Sequence, residues 1–251
     1  MPKIHWFGVV APYRCLVMTY YDCSLYDYIS KNPPFPPENF EPSKCVDEGT
    51  DGRLVEKSIT PDFHRIIESL LKVLQSIHDS GVVHRDIKLQ NIMFKGDQAV
   101  LVDFGMATFW VDEAWRPIPE SDTPKEDVMG SLHYMSYHVH AGKTYSRRDD
   151  LMSLAYVYMS LNGDLFWRQE ETPNTLDVFS NLSDGLPATN IMHPKNQRIK
   201  TQKEWSCIRE YFQRKGRTDS RLFHFLEYVY GLAFSETPRY MVSKRSIVGA
   251  S

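Results

Sequence analysis

The stretch from His84 to Gly105, HRDIKLQNIMFKGDQAVLVDFG, constrains this chain more than any other. It contains two short apolar runs, "NIMFKG" and "AVLVDFG", joined through Lys95-Gly96-Asp97. Gly flanked by polar residues is turn chemistry, so the runs read as two strands folding back on each other. "VVHRD" before them is a third β-like piece. Such a hairpin returns Asp103, at the end of its second strand, to the side of Asn91, at the start of its first. Asp86 lies five residues before Asn91.

The flanking sequence supplies a frame for this hairpin. In "TPDFHRIIESLLKVLQSIHDSG", Thr60 suits an N-cap and Pro61 the first helical position. Phe63, Ile66, Ile67, Leu70, Leu71, Leu74 and Ile77 recur at three- and four-residue spacing, and Gly81 ends the pattern, so a helix with one apolar face is expected. Further upstream, "IHWFGVV" and "YRCLVMTYY" read as a hairpin turning at Ala11-Pro12, followed by a short helix in "SLYDYIS". Residues 32–60 are rich in Pro, Gly and charge and read as an exposed loop. Downstream, a helical pattern runs from Asp150 through Leu151, Leu154, Val157, Tyr158 and Leu161 to a stop at Asn162-Gly163. The rest reads as mostly helical, with breaks near 173, 187 and 194 and a clear late helix in "SRLFHFLEYVYGLAF". The fold class is therefore α+β, a small β part followed by a large helical part.

Composition narrows the function classes. The 251 residues are 42% hydrophobic and 24% charged, with a net charge of −3, so the basic excess of a nucleic-acid binder is missing. No apolar run reaches the roughly 18 residues of a membrane span, and no signal-peptide pattern opens the chain. Cysteines stand at 15, 23, 45 and 207 without a C-x-x-C pair, which argues for reduced thiols rather than a zinc site or disulfide framework. Cytoplasm or nucleus is the default location.

The chemistry comes from residue types at fixed spacing. Phosphoryl transfer needs positioning, metal-held phosphates and charge neutralisation more than covalent help. Asp86 in H-R-D with Asn91 five residues on, then Asp103 in D-F-G after a hairpin, supplies the parts. Asn91 and Asp103 can hold Mg²⁺ on the phosphates of ATP, Asp86 can accept the proton of an attacking hydroxyl, and Lys88 can place a cation on the phosphoryl group. Each short motif is weak by itself; their order around a hairpin after a capped helix is specific.

With these motifs the chain resembles the C-terminal lobe of a eukaryotic protein kinase. "PKIHWFG", "LVMTYYDCSLYDYI", "GSLHYMSYHVHAG" and "SRRDDLMSLAYVYM" are similar to the casein kinase 1-like group, with its vaccinia-related and tau-tubulin branches. That group lacks A-P-E, and Met135–His138 read Met-Ser-Tyr-His here. The resemblance implies a serine/threonine protein kinase acting on protein substrates, with Lys88 marking that specificity. It implies Met18 as gatekeeper of an adenine pocket and Thr19–Tyr21 as the hinge, adenine meeting the Thr19 carbonyl and the Tyr21 amide. For Met18 and Tyr21, plain core packing is the alternative. Leu101 or Val102 would floor the pocket, and Asp150 would open the central helix and accept bonds from the catalytic-loop backbone.

The resemblance starts at about the family's fourth strand. No G-x-G-x-x-G, no strand lysine resembling V-A-I-K and no partner glutamate are found. The expectation is an N-terminally truncated domain over 1–251: 1–30 a β-hairpin remnant of the N-lobe with the hinge, 31–60 a loop insertion, 61–251 the C-lobe. A catalytically impaired, kinase-fold binding or regulatory module is the alternative function. A lone hairpin would expose Ile4, Trp6, Phe7, Val9 and Val17 as a partner or aggregation surface. Between Met106 and Met129 the acids Asp112, Glu113, Glu120, Asp122, Glu126 and Asp127 outnumber Arg116 and Lys125, and His133 stands where the group's G-T-A-R-Y has arginine. A pocket for anionic substrates is thus in doubt, and a solvated acidic loop face is an equal reading.

Overall fold

The structure, a computed structural model, describes residues 2–31, 63–96, 98–125, 127–168 and 189–240. The 32–60 loop, the Thr60-Pro61 helix start and the expected breaks near 173 and 187 lie outside the described residues.

The chain opens with β1 (Ile4–Val10) and β2 (Tyr13–Met18), an antiparallel hairpin turning at Ala11-Pro12 as the sequence implies. Its apolar side chains face solvent: Ile4 is 60%, Phe7 69% and Val9 70% exposed, with Trp6 and Val17 also open. No other described strand pairs with it.

After β3 (Cys23–Ser24) and α1 (Leu25–Lys31) comes α2 (Phe63–Asp79), whose Ile67, Leu70, Leu71, Leu74 and Ile77 are buried. Each such side chain contributes roughly 1.5–3 kcal/mol by leaving water. Beyond α2 lie β4 (Val82–Val83), β5 (Ile92–Lys95) and β6 (Gln98–Leu101). β5 and β6 form the expected hairpin, and β3 pairs on its other side. "VVHRD" is strand only at Val82 and Val83, because β4 pairs instead with β7 (Thr108–Phe109) from beyond the Asp-Phe-Gly segment.

The helical part contains α3 (Tyr137–His140), α4 (Arg147–Leu161), α5 (Pro194–Gln202), α6 (Trp205–Arg214) and α7 (Arg221–Gly231), with β8 (Asp127–Val128) paired to β9 (Thr189–Asn190). The late helix falls where expected. The expected break near 194 falls where α5 starts: Pro194 is its first residue, with the His193 ring accepting from the Lys195 amide. α4 begins three residues before Asp150: Ser146 is the N-cap and Asp149 closes a capping box with it. Nor is α4 one-sided, since even Arg147, Arg148, Asp149 and Asp150 are buried along with its apolar residues. It is the central strut of the lobe, packed against α2 and α7.

Candidate functional site

The site forms where the loop after β4 meets β5, β6 and the segment before α3. Asp86 is buried at its centre. Its Oδ2 lies 2.9 Å from Lys88 Nζ and accepts from Asn91 Nδ2 at 3.1 Å, while its Oδ1 accepts from Ser131 Oγ at 2.8 Å. Ser131 Oγ in turn accepts from Lys88 Nζ at 3.2 Å. The carboxylate is thus held from both ends, and all three partners sit in one compact cluster.

Asn91 donates Nδ2 to the Asp86 carbonyl at 2.8 Å as well, which leaves its Oδ1 to serve as an acceptor or metal ligand. The Val102 amide donates to the Asn91 carbonyl at 2.9 Å, extending the β5–β6 ladder by one bond. That bond puts Asp103, the next residue, at the Asn91 end of the hairpin, as its spacing implied. Asp103 is exposed, sits at φ 63°, and its Oδ1 accepts from the Gly105 amide at 3.2 Å. One carboxylate and one amide oxygen are the hard donors Mg²⁺ takes alongside waters and substrate phosphates. Among the described residues no cluster of three or more His, Cys, Asp or Glu offers a closed metal cage, which is consistent with such an open pair.

Two buried histidines and Asp150 set the loop's geometry. His84 donates Nε2 to the Val102 carbonyl at 3.0 Å, accepts the Asp86 amide on Nδ1 at 3.3 Å, and packs edge-on against Phe104 at 4.8 Å. The Asp150 carboxylate accepts from the His84 amide (2.8 Å) and His78 Nε2 (2.9 Å) on Oδ2, and from the Arg85 amide (2.9 Å) and Tyr145 hydroxyl (3.1 Å) on Oδ1. The far nitrogen of His78, Nδ1, hydrogen-bonds the Tyr240 hydroxyl at 2.6 Å. Burial opposes the Asp150 charge, but the His78 hydrogen bond and charge, with His84, outweigh it and hold the carboxyl below the ordinary aspartate value. Arg85 is held at φ 72°, a left-handed conformation costly for arginine. The Asp150 bonds to both amides keep it there.

At the hinge end, Met18 closes β2 opposite Ile4 and is half-buried. Thr19 donates its amide to the Lys3 carbonyl at 3.0 Å, and Tyr21 is buried. Among the described residues, neither the Thr19 carbonyl nor the Tyr21 amide makes a backbone hydrogen bond outside the strands and helices. Leu101 belongs to the main core at 1% exposure, whereas half-buried Val102 is tied to the site by its backbone.

The acidic segment is only partly a solvated face. Half-buried Asp112 pairs with Arg116 at 2.8 Å, and the Arg116 bonds hold its carboxyl below the usual value. Glu120 pairs inward with Arg148 at 3.1 Å and lies 3.8 Å from Lys143. A cavity of 260 Å³ opens next to this segment, lined by Arg85, Trp110, Lys125, Met129, Lys143 and Tyr145 among others. None of Asp86, Lys88, Asn91 or Asp103 lines it. It is a basic recess separate from the Asp86 cluster.

The sequence assigned no role to Ser131, Tyr145, His78 or Tyr240. Ser131 stands directly after Gly130, whose φ of 120° lets the segment pass the Arg85 carbonyl; a Cβ there would lie 3.1 Å from that oxygen. A Gly-Ser pair is the only local signal for it.

The protein kinase domain family matches residues 9–228. The chain belongs to the protein kinases. Within them it is a casein kinase 1-like kinase: it is 32% identical over 181 residues to casein kinase I homolog 2 of Schizosaccharomyces pombe, an alignment covering 69% of this chain and 37% of that protein. A probable casein kinase I homolog of Encephalitozoon cuniculi is 31% identical over 175 residues, covering 69% of this kinase and 49% of the relative. A casein kinase 1-like protein of Oryza sativa subsp. japonica is 25% identical over 247 residues, 96% of this kinase and 29% of the relative. This kinase therefore spans from under a third to about half the length of these relatives. Kinases of this fold use ATP and Mg²⁺. Among the described residues, no helix is long and apolar enough to cross a membrane.

Proposed function

We propose that this kinase transfers the γ-phosphoryl group of ATP to serine or threonine hydroxyls of protein substrates. The observation that carries the reading is the Asp86 carboxylate clamped between Lys88 Nζ and Ser131 Oγ. In that position Asp86 orients the substrate hydroxyl and takes its proton as the oxygen bonds to phosphorus and the bond to the ADP oxygen breaks. Lys88, with a serine beside it instead of a bulkier group, offsets charge on the phosphoryl group in transit. Asn91 Oδ1 and the Asp103 carboxylate would hold Mg²⁺, which supplies charge neutralisation on the phosphates when bound. The Thr19 carbonyl and Tyr21 amide would meet the adenine edge, with Met18 behind it.

The assembled catalytic residues support an enzyme over a binding-only module, which would have no need of a paired aspartate and lysine at this point. Phosphate transfer from labelled Mg·ATP to peptide pools bearing serine, threonine or tyrosine tests the reading. Incorporation into serine and threonine pools, lost by at least about 100-fold in Asp86→Asn, is expected. Transfer that survives Asp86→Asn, or that favours tyrosine, would overturn it.

A further inference from the structure

Lys203 is fully buried immediately after α5, with no carboxylate against it among its hydrogen-bond and ion-pair partners. A buried ammonium without compensation is costly, and burial pushes its pKa well below the ordinary lysine value. Its compensation is specific. Nζ lies 2.7 Å from the Leu132 carbonyl, 2.7 Å from the Met135 carbonyl and 3.0 Å from His140 Nε2. The rings of Tyr156 and Trp167 flank it at 4.8 and 5.2 Å.

The protonation state follows from the far side of His140. Asn196 donates Nδ2 to the Ile191 carbonyl at 3.0 Å, so its Oδ1 faces His140 Nδ1 at 2.6 Å and must accept from it. With the proton on Nδ1, His140 Nε2 is a lone pair, and its 3.1 Å approach to the Leu132 carbonyl is a meeting of two acceptors that Lys203 Nζ bridges. Three acceptors then surround one nitrogen, and an ammonium has three hydrogens. Burial and the neighbouring Lys203 both keep His140 neutral, as this arrangement requires.

The two carbonyls that Lys203 captures belong to the turn that carries Ser131. The Tyr134 and Met135 amides donate back to the Ser131 carbonyl at 2.9 and 2.8 Å. Trp167 Nε1 donates to the His133 carbonyl between them at 3.1 Å. Side chains from outside the turn therefore hold its carbonyls at 132, 133 and 135, while its first residue bonds the catalytic aspartate.

We infer that Lys203 is a positioning residue for phosphoryl transfer: by gripping the 132 and 135 carbonyls it fixes the turn that presents Ser131 to Asp86 and Lys88. It replaces with backbone carbonyls what an acidic lock would supply in a segment whose sequence, Met135–His138, contains no acid. The inference rests on the kinase reading for its activity, but the lock can be tested without catalysis.

Hydrogen exchange on the unmodified protein is the first arm. The Tyr134 and Met135 amides should exchange as slowly as α4 amides; exchange at open-loop rates would overturn the lock without any variant. The second arm compares Lys203→Met with Ile199→Ala, a change at a buried α5 residue outside the lock. Lys203→Met should lower protection of residues 131–136 at least tenfold more than it lowers that of α2 and α4, whereas Ile199→Ala should lower all three together. A loss in Lys203→Met spread evenly over the lobe would reduce Lys203 to a packing residue. Where the unmodified protein shows phosphate transfer, kcat per folded molecule should fall at least tenfold in Lys203→Met with the Kd for Mg·ATP unchanged. An unchanged kcat beside a loosened turn would sink the catalytic role while sparing the lock, and absence of transfer in both proteins would count against the kinase reading, not the lock.

Discussion

Replacing Asp150 with alanine should do more damage than any other single change to the charged residues of the lobe. The carboxylate is wholly buried and accepts from the His84 amide, the Arg85 amide, His78 Nε2 and the Tyr145 hydroxyl. His78 and Tyr145 can turn toward other partners; the two backbone amides cannot. Each buried donor left unsatisfied costs about 1–3 kcal/mol, so the amides alone give about 4 kcal/mol, within the range for breaking a buried charged network. Arg85 would also lose the bond that holds it at φ 72°, and Asp86 is the next residue. For a protein of this size, 1 kcal/mol moves Tm by roughly 2–4 °C, so Asp150→Ala should lower Tm by about 8–16 °C in a circular-dichroism melt. Asp150→Asn keeps one acceptor but turns an NH₂ toward donors, and should fall about halfway between. A drop below about 3 °C for the alanine variant would refute the reasoning that Asp150 carries the catalytic-loop backbone.

Asp149 should behave in the opposite sense with pH. Burial raises its pKa from 3.8 to about 6, although Ser136, Arg148 and the Ser146 amide favour its charge. A carboxyl whose folded pKa is raised binds more protons folded than unfolded, so its contribution is full below about pH 4 and is lost as pH rises through 6, up to roughly 3 kcal/mol. Asp149→Asn, in which Ser136 can reverse its hydrogen bond, should flatten the stability profile between pH 4 and 6 in urea titrations; an unchanged slope would contradict the assignment. Ser131→Ala removes a hydrogen bond to a charged group that contributes about 1.5–3 kcal/mol, so Tm should fall by about 3–12 °C and kcat per folded molecule by roughly tenfold or more; equal kcat would remove Ser131 from the site. Phe7→Lys and Val9→Lys, at positions 69% and 70% exposed, should change stability by no more than about 0.5 kcal/mol. The same pair should reduce concentration-dependent self-association in sedimentation velocity, and unchanged association would clear the hairpin as its cause.

What the sequence revealed is what lies close along the chain. Asp86, Asn91 and Asp103 are linked by one short loop and one hairpin, so spacing and turn chemistry place them together. The hairpin's exposure was also legible, because two strands cannot cover apolar residues on both their faces. Ser131 reaches Asp86 across 45 residues, Lys203 reaches Leu132 across 71 and Tyr240 reaches His78 across 162. Single polar residues carry no periodic signal, and only tertiary packing decides which of them meet. Hydropathy misjudged α4 for a related reason. The apolar pattern put the helix start at Asp150, but the helix begins at Arg147, because Arg147, Arg148 and Asp149 carry no apolar periodicity and are buried against specific partners: Trp110, Glu120 and Ser136.

The most direct test of the site is the thermal stability of this chain titrated with Mg·ATP into the millimolar range, beside Asp103→Ala and Asn91→Ala. A ligand at ten times its Kd stabilises by about 1.4 kcal/mol, which is a rise of roughly 3–6 °C here. That rise in the unmodified chain, with little or none in either variant, is the expected result. No rise at millimolar nucleotide, or an equal rise in all three proteins, would contradict the assignment of Asn91 and Asp103 to the metal and of this cleft to ATP.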